Sequence, residues 1–394
     1  MQSTTQPLPD VDFREPTPKL FELLDLLIKQ NGSDLHITTN TYPRIRVNGD
    51  LESLTDYPIL TAQDTKEYAY SVMSDKQKQT FEQHHELDLS FGIQGLSRFR
   101  VNIFDQRNGI AIVFRAIPFE VVPIDKLKLP PQLIELCDKP NGLVLVTGPT
   151  GSGKSTTLAS LLDKINRERP VHILTIEDPI EFIHGHKKGC VNQREIGPNT
   201  DSFPDALRVA LRQDPDIVLI GELRDLETIE SALRIAETGH LTFATLHTNT
   251  ASSTITRIID VFPANQQPQI RTQLSNVLAG VMCQQLLPKA DGTGRVMAVE
   301  LMLPNPAIKN LIREDKIHQI QNVMSSGQEQ HGMQILNQSL AHLVARGIVT
   351  FEAACLRSND IGELRDKIGH LKNTSHVHVA PLPPNSARDI FASS

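Results

Sequence analysis

Residues Gly148 to Thr156 read Gly-Pro-Thr-Gly-Ser-Gly-Lys-Ser-Thr, the spacing G-x-x-x-x-G-K-[ST] of a phosphate-cradling loop. Glycines at 148, 151 and 153 let backbone N–H groups turn inward around phosphate oxygens. Thr150 and Ser152 complete the loop. Lys154 would reach the β- and γ-phosphates, and the Ser155 hydroxyl would bind Mg²⁺. Thr156 opens a stretch with helical spacing, whose N-terminus adds positive potential. The run Gly142–Thr147 before the loop is apolar and β-branched, as a buried strand would be. Strand, glycine loop and helix are the arrangement this chemistry needs.

Hydrolysis also needs a carboxylate that orients water. Glu222 ends the apolar run Asp216–Ile220 plus Gly221, which places an acid at the carboxyl edge of a sheet. Gly221 stands where an aspartate commonly precedes such a glutamate, so the catalytic work falls to Glu222. A second acidic cluster, Glu177, Asp178 and Glu181, follows another apolar strand around Pro179. Glu181 would hold Mg²⁺ through water or act as an alternative base; loop capping around the proline is the structural alternative. His240 and His247 bracket a further strand and would sense the γ-phosphate or relay protons, unless they only hold the loops. Arg98, Arg100, Arg107 and Arg115 are interleaved with apolar residues, and Arg98 and Arg100 share one strand face. They form either a solvated basic face or a set of phosphate-binding arginine fingers.

These residues need elements to position them. The pattern divides the chain into a polar arm (1–18), a small α+β domain on an antiparallel sheet (19–116), a proline-punctuated connection (117–130), an ATP-binding α/β domain (131–371) and a tail (372–394). In the first domain the periodicity predicts a helix from Lys19, strands at Asp34–Thr38 and Arg44–Val47, and a turn at Asn48-Gly49. It further predicts one helix over Ala62–Gln77 and alternating strands at Leu87–Phe91, Arg98–Phe104 and Ala111–Arg115. In the second, strand-like runs at 143–147, 172–176, 217–220, 241–245 and 295–301, with helices between the earlier ones, predict a parallel three-layer core. Residues 307 to 371 are mostly helical in pattern.

Composition removes other classes. The net charge of −7 argues against a phosphate-tracking surface for nucleic acid. Trp is absent and aromatics are scarce, which leaves little for base stacking. No apolar run reaches about 18 residues, so no spanning helix is expected. The N-terminus has no signal-peptide pattern, so a cytoplasmic chain is expected. The four cysteines, at 137, 190, 283 and 355, are too scattered for a zinc knuckle.

Together these blocks resemble the secretion-type ATPase superfamily, and more narrowly the PilT family of type IV pilus retraction ATPases. The marks are Ser33-Asp34-Leu35-His36, Arg98-Phe99-Arg100-Val101-Asn102, the phosphate loop, the acidic box at Asp178–Glu181, the strand-end Glu222 and the histidine box from Glu237 to His247. The likeness runs from about Leu23 to Ile368. A further segment, Ala307-Ile308-Lys309-Asn310-Leu311-Ile312-Arg313-Glu314, is similar to the family's Ala-Ile-Arg-Asn-Leu-Ile-Arg-Glu motif, with Lys309 where the family has arginine. The resemblance implies a homo-hexamer with a PAS-like first domain and a RecA-like P-loop core. ATP would lie between the two domains, with arginines supplied from the neighbouring subunit. It also implies an inner-membrane pilus platform protein as partner, at the cytoplasmic face of that membrane. Extension motors of the superfamily usually carry another N-terminal domain and a tetracysteine zinc site. The sequence carries neither, which favours retraction.

Overall fold

The computed structural model describes residues 12–47, 49–117, 121–326 and 332–374. Most of the expected arm, nearly all of the expected tail, Asn48 of the turn and Pro118 of the connection lie outside the described residues. Two units emerge. One comprises the chain through Val121 with Glu181–Gly185, the other Val122–Ile180 with the chain from His186 onward.

The first unit opens with α1 (Pro18–Lys29), which starts on a proline and buries Leu20, Leu23, Leu24 and Leu27 along one face. Strands β1 (Asp34–Ile37), β2 (Arg44–Val47), β3 (Asp50–Ser53), β4 (Glu86–Ile93), β5 (Ser97–Gln106) and β6 (Gly109–Ile117) form one sheet, ordered β3-β2-β1-β6-β5-β4. Every pairing is antiparallel. Phe91, Phe99, Phe114, Leu35, Ile37 and Ile103 alternate onto the core face and are fully buried. The single helix expected over Ala62–Gln77 is two helices, α2 (Ala62–Ser71) and α3 (Asp75–His84). The break is chemical. Ser74 caps the second helix by accepting from the Gln77 amide while Gln77 accepts from the Ser74 amide, a reciprocal box that starts a new helix.

The second unit runs α4 (Ile124–Leu127), α5 (Pro131–Glu135), β7 (Gly142–Thr147), α6 (Lys154–Glu168), β8 (His172–Glu177), β9 (Cys190–Glu195), α7 (Phe203–Ala210), β10 (Ile217–Ile220), α8 (Leu226–Glu237), β11 (Leu241–Leu246), α9 (Ala251–Asp260), α10 (Gln267–Val277), β12 (Leu278–Pro288), β13 (Arg295–Met302), α11 (Pro306–Arg313), α12 (Ile320–Ser326), α13 (Leu336–Ala345), α14 (Phe351–Cys355) and α15 (Ile361–Thr374). Its sheet is ordered β13-β12-β7-β11-β10-β8-β9. The α/β class is as expected, with two additions and one difference. Strands β9 and β12 are additional. The sheet is not wholly parallel, because β13 returns antiparallel to β12.

Part of the expected connection is built into this unit. Ile124 and Leu129 are buried in its core, and the Ser160 hydroxyl donates to the Val122 carbonyl at 2.6 Å. Helices α13 to α15 close their own cluster, with Leu340, Leu364 and Ile368 packed against Leu287 and Ala298 of β12 and β13.

Phe114 is fully buried and stands edge-on to Phe91 at 6.5 Å between ring centroids. Phe114→Ala is expected to cost about 3–5 kcal/mol, measured as a lower urea midpoint for the transition that reports on the first unit.

Candidate nucleotide-binding site

Strand β7 is buried along its whole length, with β11 and β12 parallel on either side. It delivers the phosphate loop to the carboxyl edge of the sheet. Gly148 has φ +141°, and a Cβ there would stand 2.3 Å from the Gln284 carbonyl oxygen, so backbone passes backbone too closely for any side chain. Gly151 (φ +76°) faces open space, and Gly153 (φ +90°) precedes α6 without capping it by a side chain. The helix therefore offers its first-turn amides to an anion. Lys154 is folded back on the loop, its Nζ donating to the carbonyls of Gly148 at 2.8 Å and Pro149 at 3.2 Å. Thr150 is exposed, while Ser155 and Thr156 are half-buried on the first turn. The buried Ser152 hydroxyl has no hydrogen-bond partner among the described residues.

An open glycine cradle, an uncapped helix and a lysine parked on carbonyls fit a polyphosphate. Among the described residues no cluster of His, Cys, Asp and Glu could hold a metal by itself. A Mg²⁺ would therefore rest on Ser155, phosphate oxygens and water, as Mg²⁺ at phosphates usually does.

Strands β8, β10 and β11 end at the same edge, since each is parallel and in register with its neighbour. Glu222, Asp178 and His247 follow their ends. One Glu222 oxygen receives the Arg224 guanidinium at 2.8 Å and the other meets His247 Nε2 at 3.2 Å. Arg224 also approaches Asp178 at 3.7 Å. Burial pushes the Glu222 carboxyl up, but the Arg224 guanidinium and then His247 outweigh it, so it sits below the usual carboxylate range. Gly221 has a steric reason. A Cβ there would lie 3.2 Å from both Glu177 Cα and the Ile176 carbonyl of β8, which leaves little room for the aspartate common at that position.

His240 stands just before β11, beside Gly142, whose amide donates to its carbonyl at 3.2 Å. The six residues of β11 separate it from His247 by about 20 Å, so within one chain only His247 stands at the phosphate-loop edge. Glu181 is half-buried in the stretch that groups with the first unit. In that unit's sheet, Arg100 pairs across strands with Arg115. Arg115 Nε donates to Asp34 at 2.8 Å with its side chain 58% exposed. Arg98 is only 8% exposed, and its guanidinium donates to the Ser90 hydroxyl at 3.0 Å. A merely solvated face does not describe Arg98.

Two contributors were not singled out from sequence. Arg224 lies two residues beyond Glu222, a spacing that puts both on one side of an extended chain. Gln284 of β12 donates from Nε2 to the Ser152 carbonyl at 2.7 Å across 132 residues of chain, and no local signal marks it.

With this geometry in place, the comparison with known proteins decides the family. The model of the family "Type II/IV secretion system protein" matches residues 15–356. The chain belongs to this family. Over 333 residues it is 50% identical to the type IV pilus retraction ATPase PilT of Pseudomonas aeruginosa, covering 84% of this chain and 96% of that protein. It is 49% identical over 344 residues to a twitching motility protein of Neisseria gonorrhoeae, covering 86% and 91%. A crystal structure of the pilus retraction motor PilT with bound ADP superposes with a TM-score of 0.81 at 51% identity, covering 88% of this chain and 99% of that one. Membership of the secretion family agrees with the resemblance read from the motifs, and the superposition agrees with the α/β P-loop fold.

A lowered carboxyl is ionised, and its pairing is intact, above its unfolded pKa; both are lost as pH falls through the folded pKa. The acid limb of kcat/KM for ATP, which reports the free enzyme, is therefore expected below the ordinary carboxylate range. In Arg224→Ala it is expected to move to higher pH, because burial is then opposed by His247 alone. Gln284→Ala removes one buried hydrogen bond from the loop, and nucleotide affinity is expected to fall about tenfold, measured by ADP titration.

Proposed function

We propose that this chain is the ATP-hydrolysing motor of type IV pilus retraction and thereby drives twitching motility. The observation that carries the reading is the shared strand edge, where the phosphate loop, Glu222 and His247 converge in a chain about half identical to retraction ATPases. On ATP binding, Lys154 exchanges the Gly148 and Pro149 carbonyls for the β- and γ-phosphates. The backbone amides of Gly151 to Ser155 hold the phosphate oxygens. Each Glu222 oxygen holds one partner and keeps a second lone pair that can accept from a water. Glu222 then orients that water. The water oxygen attacks the γ-phosphorus, the bond to the β–γ bridging oxygen breaks with its electron pair leaving on ADP, and the water's proton departs toward the carboxylate. Bound Mg²⁺, held through Ser155, would supply charge neutralisation on the phosphates.

The same reading assigns the finer roles. The chain works as a homo-hexamer in the cytoplasm, at the face of the inner membrane, and acts on a platform protein of the pilus. Among the described residues no helix is long and apolar enough to cross a membrane, which is compatible with that placement. Arg98, Arg100 and Arg115 meet the phosphates of a neighbouring subunit's nucleotide. Asp34 aligns Arg115 in the structure, as a phosphate-binding fork requires. Glu181 assists Glu222 through water, and His240 serves as a further contact to nucleotide through the assembly.

The test has two arms. Glu222→Gln is expected to lower ATP turnover by about 10²–10⁴-fold with ADP binding retained, in a colorimetric phosphate assay beside a binding titration. Deleting the gene in its native host is expected to leave abundant surface pili with lost twitching, and the Glu222→Gln allele is expected to copy the deletion. Cells without pili would reassign the motor to assembly.

A further inference from the structure

Glu300 of β13 is a carboxylate that the hydrolytic chemistry does not use. It is 5% exposed, and no ion pair to it is present among the described residues. Its two oxygens go instead to two backbone amides. Oε1 accepts from Ala251 N–H at 2.7 Å and Oε2 from Leu336 N–H at 3.3 Å. These are the first residues of α9 and α13. Helix N-termini carry partial positive charge and unpaired amides, which explains how a buried carboxylate is kept without a cation. Burial pushes its pKa up, and the two amides pull against that without cancelling it.

The two helices lead to different places. Helix α9 begins four residues after His247, and the intervening loop is fastened to its first turn. Thr248 and Thr254 share a hydroxyl contact at 2.7 Å, and Thr254 donates to the Thr250 carbonyl at 2.7 Å. Helix α13 opens the C-terminal cluster of α13 to α15. Its capping position is Ile335, which has no side-chain oxygen to offer; Gln338 accepts from the Ile335 amide, and Glu300 takes the next amide, Leu336. The chemistry selects a carboxylate. Two N–H donors need two acceptors, whereas a glutamine would turn its own donor toward one of them.

We propose that Glu300 is a positioning residue that ties the His247 loop to the C-terminal helices, so that the nucleotide state at Glu222 and His247 is felt by α13 and its neighbours. The inference rests on ATP turnover at this site and not on the pilus assignment. Linkage makes such coupling reciprocal for binding.

The test compares the full-length parent with Glu300→Gln and Glu300→Asp, the latter keeping the charge on a shorter stem. Steady-state kinetics and hydrogen exchange of the peptide spanning residues 333–340 are measured with and without ADP, below the melting temperature of each protein. For Glu300→Gln we expect kcat to fall about tenfold with KM for ATP within about twofold. We also expect the ADP-dependent change in exchange at 333–340, present in the parent, to be lost. Glu300→Asp is expected to keep part of both, and it carries the test if Glu300→Gln does not fold. An unchanged kcat, or a lower melting temperature as the sole effect, overturns the proposal. So does a parent whose 333–340 segment ignores ADP. A parent without any turnover would instead strike at the ATPase reading itself.

Discussion

The site depends on the register of parallel strands. Pairing of β7 with β11, β11 with β10 and β10 with β8 aligns residue to residue, from Gly142 opposite Leu241 to Ile220 opposite Ile176. Because all four strands run the same way, their carboxyl ends fall together. The phosphate loop, His247, Glu222 and Asp178 are neighbours for that reason alone, although they span residues 148 to 247. Slipping one strand by a residue would turn every buried side chain on it to the other face. With strands buried on both faces, as the pairs Val144 and Leu145, and Val218 and Leu219, show, that slip would disrupt two hydrophobic clusters at once. Packing thus fixes chemistry: the apolar runs set the register, and the register sets which loops meet.

This dependence explains what could be read in advance. The strands that hold the site are short, continuous apolar runs, and such runs survive as a signal whatever surrounds them. The loop after β7 and the acid after β10 were legible because each motif is local. Strand β9 was not, since Cys190-Val191-Asn192-Gln193-Arg194-Glu195 is an edge strand with one fully buried side chain. Strand β12 follows α10 without a turn residue and carries Gln284 and Gln285 inside the core, so polarity hid it. What made it hard to read also makes it useful. Gln284 reaches the Ser152 carbonyl, and a partner 132 residues away leaves no trace in local spacing. The break between α2 and α3 was available as Ser74 three residues before Gln77, a local sign overridden by the helical pattern on both sides.

Two carboxylates in one unit show how surroundings divide labour. Glu222 sits at the edge beside Arg224 and His247, and those partners hold it ionised against burial. Glu300 sits deeper, on two backbone amides with the like charge of Glu363 acting on it, and burial prevails. Environment separates acid groups in this way wherever a fold assigns them different tasks. An ionised carboxylate with acceptor capacity to spare suits a base that must take up water. A carboxylate locked on two amides suits a joint.

The two histidines extend the point to topology. In sequence His240 and His247 look equivalent, one at each end of an apolar strand. In the fold that strand is the distance between them, and only His247 reaches Glu222. His240 instead seats its ring nitrogen against the Ile235 carbonyl at 3.1 Å at the end of α8, while its own carbonyl receives the first amide of β7. It thus secures the start of the strand whose far end becomes the phosphate loop. If His240 also serves a nucleotide, that nucleotide is not the one on its own loop. A nucleotide role for His240 therefore requires a second subunit, because β11 holds it away from the phosphate loop of its own chain.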